Sequence, residues 1–177
     1  MDYTLEGAIF EVIHGRRSIR KYTDQKISKE AIHKLIEAAS FAPSGSNSQA
    51  WEFIILTESE KLKKMLRFCA GIFSIPPAVI FFCTDVDRAR EKAGILGAEQ
   101  MSLMDNSMAA ENVMLAAYAM GMGTCAIKSF DADVARMLLN VPEHIRIDMA
   151  MTVGYPDQIP SRRRMRPKEE FIHWERW

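Results

Sequence analysis

Leu5, Ala8, Ile9, Val12 and Ile13 recur at helical spacing and run into Gly15, so the chain opens on a helix. Ser28 is placed to cap a second helix whose inner face is Ile32, Leu35, Ile36 and Ala39. Pro43 breaks that pattern, and Trp51 to Leu56, rich in aromatic and β-branched residues, predicts a strand. Thr57 and Glu60 have capping-box spacing ahead of a third helix built on Leu62, Met65 and Leu66. Ala78 to Cys83 is continuously apolar, the pattern of a strand covered on both faces. Residues 98–120 predict the longest helix, with Met101, Met104, Met108, Val113, Leu115 and Met120 spread round it, and hence a central, buried one. Gly121-Met122-Gly123 closes it, and Thr124 to Lys128 is too short to assign. Asp131 caps a helix through Leu139. In the last strand Ile145, Ile147, Met149, Met151 and Val153 alternate with Arg146, Asp148, Ala150 and Thr152. Helices and strands do not alternate regularly enough for a doubly wound sheet, so the pattern predicts a helix-rich α+β domain.

With 177 residues, 48% of them hydrophobic, one domain spanning 1–177 is expected. Lys and Arg number 23, as do Asp and Glu, which removes the broad basic footprint of a nucleic-acid binder. The longest apolar run, Ala78 to Cys83, is far too short to cross a bilayer. Met1 to Glu6 carries early acids and does not read as a signal peptide. Cys69, Cys83 and Cys125 are odd in number and widely spaced, without CxxC or Cys/His clustering, which fits a reducing cytoplasm. The tail ends in Phe171, Ile172, Trp174 and Trp177, an apolar terminus expected to dock on its own core or on a partner.

Seven of the thirteen arginines fall in two clusters, Arg16, Arg17, Arg20 and Arg162, Arg163, Arg164, Arg166. Such clusters are often solvated surface, their stems covering apolar patches. They are also the chemistry of anion binding, because guanidinium groups grip phosphate oxygens in pairs and stay charged. Ser18 adds a hydroxyl, and Gly15 lets backbone amides turn toward a ligand. Between helix and strand, Ser44-Gly45-Ser46-Asn47-Ser48-Gln49 gathers hydroxyl and carboxamide groups, which serve either as turn chemistry or as the edge-reader of a heterocycle. The four histidines are scattered and Cys125 has no activating neighbour in sequence, so none is assigned a catalytic role.

Four blocks in order resemble the FMN-dependent nitroreductase family: Arg16-Arg17-Ser18-Ile19-Arg20; Ala42-Pro43-Ser44-Gly45-Ser46-Asn47-Ser48-Gln49-Ala50-Trp51; Gly121-Met122-Gly123-Thr124-Cys125-Ala126-Ile127; and Val153-Gly154-Tyr155-Pro156 with the basic residues and Arg166-Pro167 that follow. The resemblance covers essentially the whole chain. It implies an α+β fold with a central, mostly antiparallel sheet of about four to five strands surrounded by helices. It also implies a homodimer with FMN at the interface and an exchanged C-terminal tail from near residue 156. Carried over residue by residue, Arg16, Arg17 and Ser18 would hold the phosphate and ribityl end, with Arg20 beside the N1–C2 side of the ring. Ser44 and Asn47 would face the flavin with Gln49 in support, and Ala126, Ile127 and Lys128 would pass near N5 through backbone groups. Tail arginines, Arg164 and Arg166 foremost, would close over the phosphate. Three positions depart from the family pattern: Ala50 replaces a proline, Lys128-Ser129 replaces a Glu-Gly or Gly-Gly pair, and Met165 stands where an arginine is usual.

The implied activity is hydride transfer from NAD(P)H through flavin N5 to a nitroaromatic or quinone, with the chemistry carried by the cofactor and no protein nucleophile. A specialised reductase or dehalogenase of the same family and a non-catalytic flavin binder are the alternatives. Residues 85–100 or the tail are the candidate lid. Neither a nucleic acid, a membrane nor a metal is expected as a partner.

Overall fold

The computed structural model describes residues 4–162 and 164–177. Its centre is a four-stranded sheet in the order β1-β2-β4-β3, antiparallel throughout, with β1 at Trp51–Leu56, β2 at Ala78–Asp85, β3 at Gly123–Ile127 and β4 at Ile145–Gly154. One face carries α2 (Lys29–Ser40) and α5 (Ser102–Ala119), where Leu35, Ala39 and Val113 pack on Ile80, Phe82, Met151 and Val153. The other carries α3 (Ser59–Leu66) and α6 (Ala132–Leu139), with Leu62, Met65, Phe81 and Ile147 buried together. Helices therefore sandwich the sheet, and both inner strands carry buried apolar side chains on both faces.

Local chemistry sets most boundaries. Thr4 caps α1 (Leu5–Gly15) by accepting from the Gly7 N–H at 3.1 Å, and Ser28 caps α2 on the Ala31 N–H at 3.1 Å. Asp131 accepts two N–H groups at the start of α6, and Asn140 ends it in the left-handed region. The Thr57–Glu60 capping box does not form. Helix α3 begins at Ser59 with no side-chain cap, and the Glu60 carboxylate accepts from Lys63 at 2.8 Å instead, one turn along the same face.

Three larger differences matter for the site. First, β4 does not keep one apolar face. Phe82 pairs with Met149 and Cys83 with Ile147, so Asp148 is an extra residue in a β-bulge. One inserted residue reverses the alternation, sending Ile145 and Ile147 to one core and Met151 and Val153 to the other. Secondly, residues 85–100 form helix α4 (Val86–Leu96), capped by Asp85, kinked at Ala93-Gly94 and joined through a π turn at Gly97–Met101 to α5. Thirdly, α5 buries its small and polar side chains, Ser102, Asp105, Asn106, Ala109, Ala110, Val113 and Ala117, and leaves Leu103, Met104 and Met108 outside. Small residues bring the helix axis close to the sheet, and Met104 and Met108 stay partly exposed.

Helix α1 buries no residue, although its apolar stripe forms as the spacing predicts. The tail does not dock on this protomer's core either: Trp174 is 84% exposed and Trp177 98%.

Candidate functional site

The basic segment leaves α1 and attaches to the free edge of the sheet. Ile19 donates its N–H to the Thr124 carbonyl at 2.8 Å, and Ser18 forms a parallel bridge with Thr124. Ile19 is buried, so the polar residues on either side of it are pushed toward solvent. Tyr22 pins the far end, its hydroxyl donating to the Ile19 carbonyl at 2.5 Å and lying 2.7 Å from the Thr152 hydroxyl. Burial holds the Tyr22 phenol well above its ordinary value, the Thr152 hydrogen bond pulling the other way. Gly15 serves packing: a Cβ there would sit 2.0 Å from the Tyr118 hydroxyl oxygen of α5. That close approach, and not a turned amide, is its structural reason.

Arg16, Arg17, Ser18 and Arg20 line one cavity of about 460 Å³. The opposite wall is the tail: Pro160, Ser161, Arg162 and Met165. The two ends of the polypeptide thus meet at one basic pocket within a single protomer. Arg17 folds back so that one guanidinium nitrogen donates to the His14, Gly15 and Arg16 carbonyls at 2.6, 2.9 and 2.8 Å, which caps α1. Arg16 is aligned by the Glu111 carboxylate at 3.7 Å. From the tail it is Arg162 that reaches the cavity. Arg166 is held elsewhere, on the Glu170 carboxylate at 3.2 Å and over the Phe171 ring at 5.4 Å. Arg164 is exposed and does not line this cavity, and Arg163 lies outside the described residues.

The carboxamide loop is built differently. Ser46, Asn47 and Gln49 all adopt positive φ (53°, 49° and 46°), a costly state for three non-glycine residues in four. Asp105 of α5, 5% exposed, compensates by accepting the Gly45 N–H at 3.1 and 3.2 Å. Arg88 of α4 donates to the Ser48 carbonyl at 2.7 Å, and Ser44 accepts the Gln49 N–H at 3.1 Å. Gln49 donates its amide to the Asn47 Oδ1 at 3.0 Å and so orients that side chain. Neither Asp105 nor Arg88 was singled out from sequence; the only signal was a pair of polar residues, Asp105-Asn106, inside an apolar helix.

Loop and basic cavity do not meet in one protomer. The loop is tied to Asp105, whereas Arg16 contacts Glu111 and Met114. Asp105 and Met114 are nine residues apart, about 14 Å along the helix and on opposite sides of it.

The third element is β3. The Thr124 carbonyl already points outward to Ile19, and antiparallel parity directs the Ala126 N–H and carbonyl to the same open edge. Ile127 is buried in the α3/α6 core, so Ala126 and Lys128 offer this edge while Ile127 anchors it. Beside them a cavity of about 290 Å³ opens between β3, the Asp148 bulge and α5. A larger one, about 890 Å³ between α2 and β1, holds none of the predicted residues. Burial raises the Cys125 thiol, in keeping with an unreactive packing role.

This fold has many known counterparts. The model of the nitroreductase family matches residues 13–92 and 69–155. A putative NADH dehydrogenase/NAD(P)H nitroreductase from Archaeoglobus fulgidus is 34% identical over 177 residues, covering 94% of this chain and 97% of that one. An FMN reductase (NADPH) from Bacillus subtilis is 30% identical, with 92% of this chain and 72% of that protein covered. Among solved structures, the NADPH:FMN oxidoreductase from Vibrio harveyi complexed with NAD+ superposes with a TM-score of 0.86 at 27% identity, over 96% of this chain and 78% of that one. The chain belongs to the nitroreductase family.

Proposed function

We propose that the chain is an NAD(P)H-dependent FMN oxidoreductase that works as a cytoplasmic homodimer and reduces a small electrophilic acceptor of the nitroaromatic or quinone class in a ping-pong exchange. The observation that carries this reading is the single cavity shared by Arg16, Arg17, Ser18, Arg20 and Arg162. The Arg16 and Arg162 guanidinium groups and the Ser18 hydroxyl fit a phosphate monoester, the one strongly anionic part of FMN. The outward N–H and carbonyl of Ala126 and the oriented Asn47 carboxamide fit the donor–acceptor edge of a flavin ring. Relatives named as FMN reductases and NADPH-flavin oxidoreductases support both cofactors.

When bound, the flavin supplies the two-electron redox chemistry. The protein's part is to hold the phosphate with Arg16, Ser18 and Arg162, to place cationic Arg20 where negative charge gathers on reduction, and to keep the ring edge aligned along β3. In the net reaction a nitro acceptor takes the hydride of NAD(P)H and one solvent proton, releases an oxygen as water and becomes nitroso. A quinone takes the same hydride and proton and becomes the hydroquinone.

The separation of loop and cradle across α5 supports a site completed between two protomers. So does the apolar surface left open: Leu5, Ile9 and Phe10 on α1, Leu103 and Met104 on α5, and the terminal tryptophans. Among the described residues no helix is long and apolar enough to cross a membrane. The three cysteines are unpaired, which suits a reducing compartment. The test is purification of the protein, identification of the yellow compound released by denaturation, and NAD(P)H oxidation with a quinone present. FMN and turnover are expected; a colourless protein that gains no flavin from added FMN would overturn the reading.

A further inference from the structure

We propose that Lys128 makes the cavity between β3 and α5 selective for aromatic acceptors that carry a carboxylate, an inference that rests on the flavin reading above. The cavity, about 290 Å³, has apolar walls in Leu103, Ala126 and Met149 and two charged residues, Lys128 and Asp148. Its size is near the lower end of ligand pockets, roughly 300 Å³ upward, and suits a single substituted ring.

The two charges are not equivalent. The Asp148 carboxylate is engaged on both oxygens: Oδ1 accepts from Arg146 Nε at 2.6 Å, and Oδ2 from Thr84 at 2.5 Å and from Asn106 at 2.7 Å. Arg146 neutralises it. Lys128 instead donates its ammonium to the Asp148 main-chain carbonyl at 2.5 Å, the carbonyl of the bulged residue. That bond fixes the ammonium without cancelling its charge. An ammonium has three donors; one is spent on that carbonyl and the group also lies 5.9 Å from the centre of the Phe130 ring, which leaves donor capacity for a ligand. The cavity therefore carries a net positive charge, held in place, beside an apolar wall.

Asn106 fixes the Asp148 side of the cavity. Its amide nitrogen is spent on the Cys83 carbonyl, Thr84 and Asp148, while its Oδ1 is buried with no hydrogen-bond partner. That oxygen is closed off from the cavity, so Asn106 acts here by holding Asp148 in place. A flat ring laid on the apolar wall, with an anionic oxygen for Lys128 and the reducible group directed toward the β3 edge, fits this cavity.

The experiment uses the FMN-loaded protein. The kcat/KM ratio of 4-nitrobenzoate to 4-nitrobenzamide is measured beside the equilibrium affinities of benzoate and benzamide, which are not reduced. A charge-assisted contact predicts a preference for the acid of about tenfold in both readouts. In Lys128→Met the preference should fall to about one, in Lys128→Glu it should invert, and Lys128→Arg should keep most of it. A loaded wild type with no acid preference, or a preference unchanged in Lys128→Met, overturns the inference and leaves the flavin reading standing. A wild type that takes up no FMN overturns the flavin reading and the inference with it.

Discussion

The two sides of helix α5 present polar groups to solvent in opposite ways. At Met114 and Glu111 the wall is made of long guanidinium side chains, four of them round one open cavity. At Asp105 it is made of backbone, bent into three left-handed residues and held by a buried carboxylate from sixty positions away. Flexible charges supply strength at the cost of order and are weakened by salt. A strained, pre-set loop supplies geometry and is indifferent to salt. The first suits a phosphate, where charge is the main demand; the second suits a ring edge, where direction is.

The sharpest break comes from the charged side. Arg16→Ala with Ser18→Ala should weaken FMN binding roughly 100-fold, the loss of one charge-assisted and one neutral hydrogen bond, measured by flavin fluorescence. Next is the loop. Asp105→Ala should cost about tenfold in FMN affinity, because the Gly45 N–H loses its acceptor, while Asp105→Asn, which keeps a carbonyl oxygen, should recover most of it. Salt separates the two: raising it should loosen FMN from Asp105→Ala as steeply as from wild type, whereas Arg162→Ala should flatten the dependence. Arg166→Ala, by contrast, should change FMN binding little, since its guanidinium is occupied by Glu170.

Alkali offers a smaller probe. The Tyr22 phenol, packed on Gly154 and bonded to the Ile19 carbonyl, is raised by burial above its ordinary value of 10.0. The fold thus favours the neutral phenol, and that contribution is complete below about pH 10 and fades as pH rises further. Stability measured by urea unfolding should fall above that pH, and Tyr22→Phe should show a shallower fall.

What could be read from the sequence divides along the same line. Strand β1, helix α2 and helix α6 follow from residues within a few positions: Trp51 to Leu56, the Ser28 cap, the Asp131 cap. The arginine clusters were visible because they are contiguous. The loop strap was not, since Asp105 and Gly45 meet only after α5 has packed on the sheet. The bulge at Asp148 was hidden because one extra residue leaves the apolar alternation of β4 intact on paper while reversing it in space. The methionines of 98–120 promised a buried helix all round; the helix packs instead on its alanines, and Met104 is 61% exposed. Which tail residues line this protomer's basic cavity, Arg162 among them, depends on where the chain turns after Pro156, which no periodicity encodes.

The central claim is that guanidinium groups from both ends of the chain hold one phosphate. Comparing FMN with riboflavin, which lacks that phosphate, tests it most directly, in wild type, Arg16→Ala, Arg162→Ala and the double variant. The account predicts a strong preference for FMN that shrinks in each single variant, with the two losses coupled and not additive. A preference for FMN that survives unchanged in Arg162→Ala would contradict it.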